Sequence, residues 1–221
     1  SEAEISKAFK PNTKALFAET IANPVLSVLD IEKFANIAHF NGVPLIIDNT
    51  FATPIICRPF EFGADIVIHS TTKYMDGHAT AVGGCIVDSG NFDWDAHADK
   101  FPGLTQPDPS YHGLAYSQSF GKGAYITKAT VQLMRDLGSI QSPQNAFLLN
   151  LGLETLHLRV PCHCENAQTV AEYLEKNPKV AWVNYSGLPS NKYHALAQKQ
   201  FRKGQSCGVV TFGIKGGRDT S

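Results

Sequence analysis

The chain has 221 residues, 43% of them hydrophobic, with 19 basic and 20 acidic side chains and a formal charge of −1. That balance excludes a global electrostatic footprint for nucleic acid or an anionic membrane and favours small neutral or zwitterionic partners. Five cysteines suit reduced thiols better than a disulfide framework, Ser1-Glu2-Ala3-Glu4 lacks the regions of a signal peptide, and no apolar run approaches the roughly 20 residues of a membrane helix, so a cytoplasmic protein is expected.

In chain order, residues 1–10 read as the middle of a helix-to-strand connection, and 15–20 as a strand. Asp30 is placed to cap a helix whose Ile31, Phe34, Ala35 and Ala38 share a face, with Gly42 ending it. A strand at 43–48 runs into Asp48-Asn49-Thr50. A turn-rich passage then leads to the β-branched run 64–69, which reads as a buried parallel strand, and 81–87 reads as one more. Strand, helix, strand, connection, strand is the pattern of an α/β fold with a mainly parallel sheet covered by helices.

From 91 to 121 the chain scatters Phe92, Trp94, Phe101, Tyr111 and Tyr116 among prolines and glycines, which predicts a long ordered loop covering a site. Helical patterns occupy 123–137 and 143–175, with Ala167, Val170, Ala171 and Leu174 on one face of the second. A strand at 180–185, a helix at 191–202 and a strand at 209–214 follow, and Gly216-Gly217 reads as a turn from which the chain should return. The expected division is a large domain over 1–148, then a connector helix and the start of a smaller α+β domain over 149–221.

The chemistry concentrates in Ser70-Thr71-Thr72-Lys73, two hydroxyls spaced by two and an amine emerging at a strand's carboxyl end, where ligands bind in open α/β sheets. Asp48 should deliver a carboxylate to the same edge, and Asn23, just beyond the first strand, an amide. If the anion is the phosphate of a pyridine cofactor, Ser70 and Thr72 would donate to it and Lys73 would bond its aldehyde carbon. Asp48 would then favour the protonated ring nitrogen, and Asn23 would orient the ring oxygen or the substrate. Each also has a plainer reading: a Ser/Thr-rich helix cap, a turn aspartate, and a turn signal at Asn23-Pro24. Cys162-His163-Cys164 lacks a second ligand pair at zinc spacing, Gly121-Lys122-Gly123 belongs to no nucleotide-loop pattern, and His69 and His78, which bracket Lys73, read as structural histidines ahead of cofactor contacts.

Three stretches together resemble a known family, the pyridoxal-phosphate enzymes of cysteine and methionine metabolism. They are Glu19-Thr20-Ile21-Ala22-Asn23-Pro24, the run from Pro44 through Asp48-Asn49-Thr50 to Pro54, and Gly63 through Ser70-Thr71-Thr72-Lys73-Tyr74. Further matching pieces lie at 145–149, 152–156, 183–189 and 212–217. The stretch 100–113 is similar to an insertion typical of the family's O-acetylhomoserine sulfhydrylases. The resemblance implies the large domain of the fold-type-I, aminotransferase-like architecture and pyridoxal 5'-phosphate held covalently by Lys73. It implies Asp48 on the ring nitrogen, Ser70 and Thr72 on the phosphate and Asn23 at the ring oxygen or substrate. The implied reaction makes homocysteine and acetate from O-acetylhomoserine and sulfide, with a thiol in place of sulfide as the other implied partner, in a homo-oligomer (a homotetramer) with sites shared between subunits.

A methionine γ-lyase or cystathionine-processing enzyme on the same scaffold is the near alternative. An assembly subunit or fragment without cofactor is the distant one. Met75-Asp76-Gly77-His78-Ala79 departs from the paired glycines common in the family, which predicts a different local turn. The resemblance also implies that a glycine-containing phosphate loop, a ring-stacking tyrosine and a Tyr/Arg pair would precede Ser1, and that a carboxylate-binding arginine would follow Ser221.

Overall fold

The computed structural model describes residues 2–216, so the turn expected at Gly216-Gly217 lies partly outside the described residues. Helix α1 (Glu2–Ala8) occupies most of the expected connection at 1–10. Strands β1 (Leu16–Glu19), β2 (Leu45–Asp48) and β3 (Ile66–Ser70) run parallel, and β4 (Gly84–Asp88) joins β3 antiparallel, in the order β1-β2-β3-β4. The α/β fold with a mainly parallel sheet is thus present. The fourth strand starts later than position 81 because the ladder begins at Ser70 opposite Gly84, after Gly83 has bonded to Thr71 and Thr72.

Between β1 and β2, α2 (Ile31–Phe40) starts where Asp30 Oδ1 accepts the Lys33 amide at 3.2 Å. Gly42 follows its end at φ +64°, a conformation costly for residues with a Cβ. Between β2 and β3 lie α3 (Thr53–Ile56) and a 3-10 turn at Pro59–Phe62.

The registers put Leu45, Ile47 and Val67 on one sheet face and Ile46, Ile66 and Ile68 on the other. The first face is buried with Ile31, Ala35 and Ala38 of α2 and with Leu156, Val160, Cys164, Ala167 and Ala171 of the long helix α9 (Leu156–Lys176). Leu45 and Ile47 are fully buried there, each such side chain contributing about 1.5–3 kcal/mol.

The second face carries the aromatic segment. Trp94, Leu104 and Tyr116 are buried with Ile66, and Phe92, Phe101, Tyr111 and Tyr125 pack around them. Trp94 stacks on Tyr125 at 5.7 Å and Tyr111 on Tyr116 at 5.5 Å. The segment is ordered but is more than a loop, since it contains a 3-10 turn at Asp95–His97, α4 (Pro102–Thr105) and α5 (Tyr116–Phe120). Such single turns are too short to leave a periodic signal.

The helix expected at 123–137 is a run of α6 (Ala124–Lys128), a π-helical segment at Ala129–Met134 and α7 (Arg135–Leu137). The helix expected at 143–175 is instead two, α8 (Pro143–Glu154) and α9, parted at Thr155. The Thr155 hydroxyl donates to the Gly152 carbonyl at 3.5 Å and accepts from Arg159 Nε at 2.9 Å, so its side chain competes with the helical backbone pattern. Val170 is half-exposed rather than on the buried face, because the buried stripe passes through Val160, Cys164, Ala167 and Ala171.

Strands β5 (Val180–Asn184) and β6 (Thr211–Ile214) form a separate antiparallel pair, with α10 (His194–Gln200) between them in sequence. α10 is shorter than the expected 191–202 because Asn191 Oδ1 accepts the Tyr193 amide at 2.9 Å and makes a turn of that stretch. Leu188, Ala197, Phe201 and Cys207 join the same buried cluster as Leu45 and Ile47. Gln200 Oε1 accepts the Ile31 amide at 3.2 Å, tying α10 to the start of α2.

Candidate active site

Parallel register determines what meets at the carboxyl edge of the sheet. Glu19 pairs with Asp48 and Asp48 with Ile68, so Asp48 and Ser70, two residues beyond Ile68, share one face and one edge. Thr50 joins them. Its amide donates to Asp48 Oδ1 at 2.9 Å, and its Oγ1 accepts the Ser70 amide at 2.8 Å. Asn49 is almost wholly buried, its Oδ1 accepting the Thr20 hydroxyl at 2.7 Å and its Nδ2 donating to the Cys57 carbonyl at 2.9 Å. Sequence reasoning gave Thr20, Asn49 and Thr50 no role. Their only signal was polarity just past a strand end.

The lysine turn is pinned to the start of β4. Thr71 donates its amide to the Gly83 carbonyl at 3.0 Å, while the Thr72 hydroxyl donates to that carbonyl at 3.2 Å and accepts the Gly83 amide at 3.1 Å. Among the described residues the Ser70 hydroxyl has no hydrogen-bond partner, and Lys73 is exposed with its ammonium in no hydrogen bond or ion pair. Asn23 lies just beyond β1, exposed, with its amide donating to Glu19 Oε2 at 3.1 Å and a cis bond to Pro24. Its side chain is not hydrogen-bonded to Asp48, Ser70, Thr72 or Lys73. Thr50 therefore joins Asp48 to Ser70 and Gly83 holds Thr72, while Lys73 follows on the same turn and Asn23 stands at the end of the adjoining strand.

Two further groups shape the edge. His69 is buried on the opposite sheet face with Nδ1 unpartnered, and burial holds its pKa below the ordinary value, partly offset by the Asp48 carboxylate. Beyond Lys73, the following turn is closed by Asp76, whose carboxylate accepts the Thr80 hydroxyl at 2.7 Å and the Thr80 and His78 amides at 3.0 and 3.2 Å. The bonds from Thr80 lead in holding the Asp76 carboxyl below its usual range. Gly77 and Ala79 complete the turn at positive φ. Among the described residues no group of three His, Cys, Asp or Glu is arranged to hold a metal ion.

All of residues 1–221 match the family model described as Cys/Met metabolism PLP-dependent enzyme. The chain is 47% identical over 219 residues to a homocysteine synthase from Schizosaccharomyces pombe, covering 99% of this chain and 51% of that one. It is 48% identical over 219 residues to an O-acetyl-L-homoserine sulfhydrylase from Leptospira meyeri, covering 96% of this chain and 49% of that one. A Campylobacter jejuni crystal structure, assigned as an O-acetylhomoserine (thiol)-lyase and carrying a pyridoxyl-lysine monophosphate residue, superposes with a TM-score of 0.92 at 39% identity. It covers 97% of this chain and 52% of its own. The chain spans about half the length of the curated relatives it matches.

The donor set suits pyridoxal 5'-phosphate. An unpartnered hydroxyl for an anion, an unpaired amine for a carbonyl carbon and a half-buried carboxylate for a ring nitrogen stand at one sheet edge, held there by neighbours already hydrogen-bonded. With a donor set that suits such a cofactor and a match running the whole length of the chain, this polypeptide belongs to the Cys/Met metabolism PLP-dependent enzyme family.

Proposed function

We propose that the full-length protein is a pyridoxal 5'-phosphate-dependent transferase that converts O-acetyl-L-homoserine and sulfide to L-homocysteine and acetate, a step of methionine biosynthesis. What carries the reading is an exposed, unpaired Lys73 on the turn just beyond Ser70, at the sheet edge where Asp48 also ends its strand, in a chain 47–48% identical to a homocysteine synthase and an O-acetyl-L-homoserine sulfhydrylase. When bound, the cofactor supplies an electron sink for charge developing at the substrate α-carbon.

In this reading Lys73 anchors the cofactor covalently, and its amine, once released, takes the α-proton and returns protons so that acetate leaves the γ-carbon. Sulfide then adds where acetate left. Asp48 sets its carboxylate against the ring nitrogen, with Thr50 fixing its orientation. Ser70 Oγ donates to the phosphate directly. Thr72 does so by turning its proton away from the Gly83 carbonyl, which keeps its bond from the Thr71 amide. Asn23 orients the ring oxygen or the substrate. The same reading takes the protein as cytoplasmic and homo-oligomeric, with sites completed across subunits, and divides this stretch into a large domain over 1–148 and a connector plus smaller domain from 149.

The test is product analysis with purified full-length protein, cofactor, O-acetylhomoserine and sulfide. Homocysteine and acetate in equal amounts are expected. Release of α-keto acid and ammonia from methionine, without homocysteine from O-acetylhomoserine, would overturn the assignment in favour of a γ-lyase.

A further inference from the structure

The turn that carries Lys73 is braced from outside the sheet. Within it, the Asp76 amide donates to the Thr71 carbonyl at 2.9 Å and the Gly77 amide to the Lys73 carbonyl at 2.9 Å, which leaves the Tyr74 and Met75 carbonyls to find donors elsewhere. Among the described residues they find them in Arg159, on the first turn of α9. Its Nη1 donates to the Tyr74 carbonyl at 2.9 Å, and its Nη2 to the Met75 carbonyl at 3.5 Å and the Gly152 carbonyl at 2.7 Å. Its Nε donates to Thr155 Oγ1 at 2.9 Å, at the break between α8 and α9.

The fit around this guanidinium is close on both sides. A Cβ on Gly77 would stand 2.3 Å from Arg159 Nη1, and a Cβ on Gly152 would stand 2.3 Å from the Asp76 carbonyl oxygen and 2.5 Å from that of Met75. One helical turn along α9, the His163 ring lies 5.4 Å from that of Tyr74. Arg159 forms no ion pair with a carboxylate among the described residues, so its directed donors serve carbonyls and one hydroxyl. A planar fork with fixed donor directions is suited to capping several carbonyls at once, where an ammonium is not.

We propose that Arg159 is a positioning residue for Lys73. A lysine amine on a four-carbon stem reaches a defined point only if its backbone leaves the turn in a defined direction. By capping the two carbonyls that follow Lys73, Arg159 sets that direction. By holding Gly152 and Thr155 with the same group, it makes the α8–α9 break and the lysine turn move as one body. The inference rests on the proposed role of Lys73.

The experiment uses full-length protein loaded with pyridoxal 5'-phosphate. Hydride reduction and peptide mapping of the wild type should label Lys73, and absence of that label would overturn both the lysine reading and this one. With Lys73 labelled, Arg159→Met, which keeps the length of the stem but removes every donor, is expected to weaken cofactor retention by about tenfold or more. It should also change the visible circular dichroism per bound cofactor, a signal of orientation that a general loss of stability does not move. Arg159→Lys should restore part of both.

A folded Arg159→Met protein with a lowered Tm but wild-type cofactor Kd and visible dichroism would overturn the proposal and leave a structural brace. If Arg159→Met fails to fold, two milder changes carry the same readouts: Gly77→Ala, whose methyl displaces Nη1, and Thr155→Val, which removes the Nε acceptor. Wild-type values in both would overturn it equally.

Discussion

Lys73 and Asp48 sit at one sheet edge but differ in what their loss removes. Under the proposed roles, Lys73→Ala removes covalent attachment and base together. Turnover should fall by more than about 10³-fold, with no hydride-fixed label in the peptide carrying position 73. Asp48→Asn keeps the shape and the acceptor for the Thr50 amide while removing the charge. That variant should still bind cofactor but turn over roughly 10²-fold more slowly. Wild-type kcat in either purified full-length variant would refute its role. Asp48, Ser70, Thr72 and Lys73 were legible as candidates because each lies at the end of an apolar run, where period and position can be read directly. Thr50 and Arg159 were not, because Thr50 ties Asp48 to Ser70, 20 positions beyond Thr50, and Arg159 meets Tyr74 across 85.

At the scale of elements, the aromatic segment is tied down by one carboxylate. Asp108 accepts the Ser110 hydroxyl at 2.7 Å, Lys128 Nζ at 3.0 Å and Gln132 Nε2 at 3.0 Å, and the first two lead in holding its carboxyl well below the ordinary 3.8. A depressed carboxyl contributes stability that is present above its unfolded pKa and lost as pH falls toward the folded one. Amides closing this turn, Gly113 to the Asp108 carbonyl and Asp108 to the Leu114 carbonyl, should therefore be protected from hydrogen exchange at pH 7. They should lose protection below about pH 4, after correction for intrinsic rates. Asp108→Asn should lower protection at neutral pH as well, and pH-independent protection in the wild type would contradict the assignment.

The helix break offers a second prediction at this scale. Gly152→Ala forces a methyl against backbone carbonyls that cannot swing aside, and should destabilise by about 1–3 kcal/mol in urea titration. Sequence periodicity reads α8 and α9 as a single helix, because a break of one residue at Thr155 leaves the apolar spacing on both sides intact.

At the scale of the molecule, Leu188 belongs to the same buried cluster as Ile47, so the stretches before and after position 149 share a core. Leu188→Ala should cost about 2–5 kcal/mol. The two tryptophans, Trp94 against the aromatic face and Trp182 on β5, should report one shifted midpoint in single-tryptophan variants. Separate midpoints would show that the two stretches unfold independently.

What the linear chain specifies is local: apolar runs for β2 and β3, the Asp30 helix start, and polar groups at the strand ends. Those follow from periodicities and caps that each involve a few neighbouring residues. Which polar groups meet depends on parallel register, on Gly83 returning to Thr71 and Thr72, and on an arginine from α9 reaching the lysine turn. Hydrogen bonds act over about 3 Å, and residues distant in sequence come that close only once the core has folded.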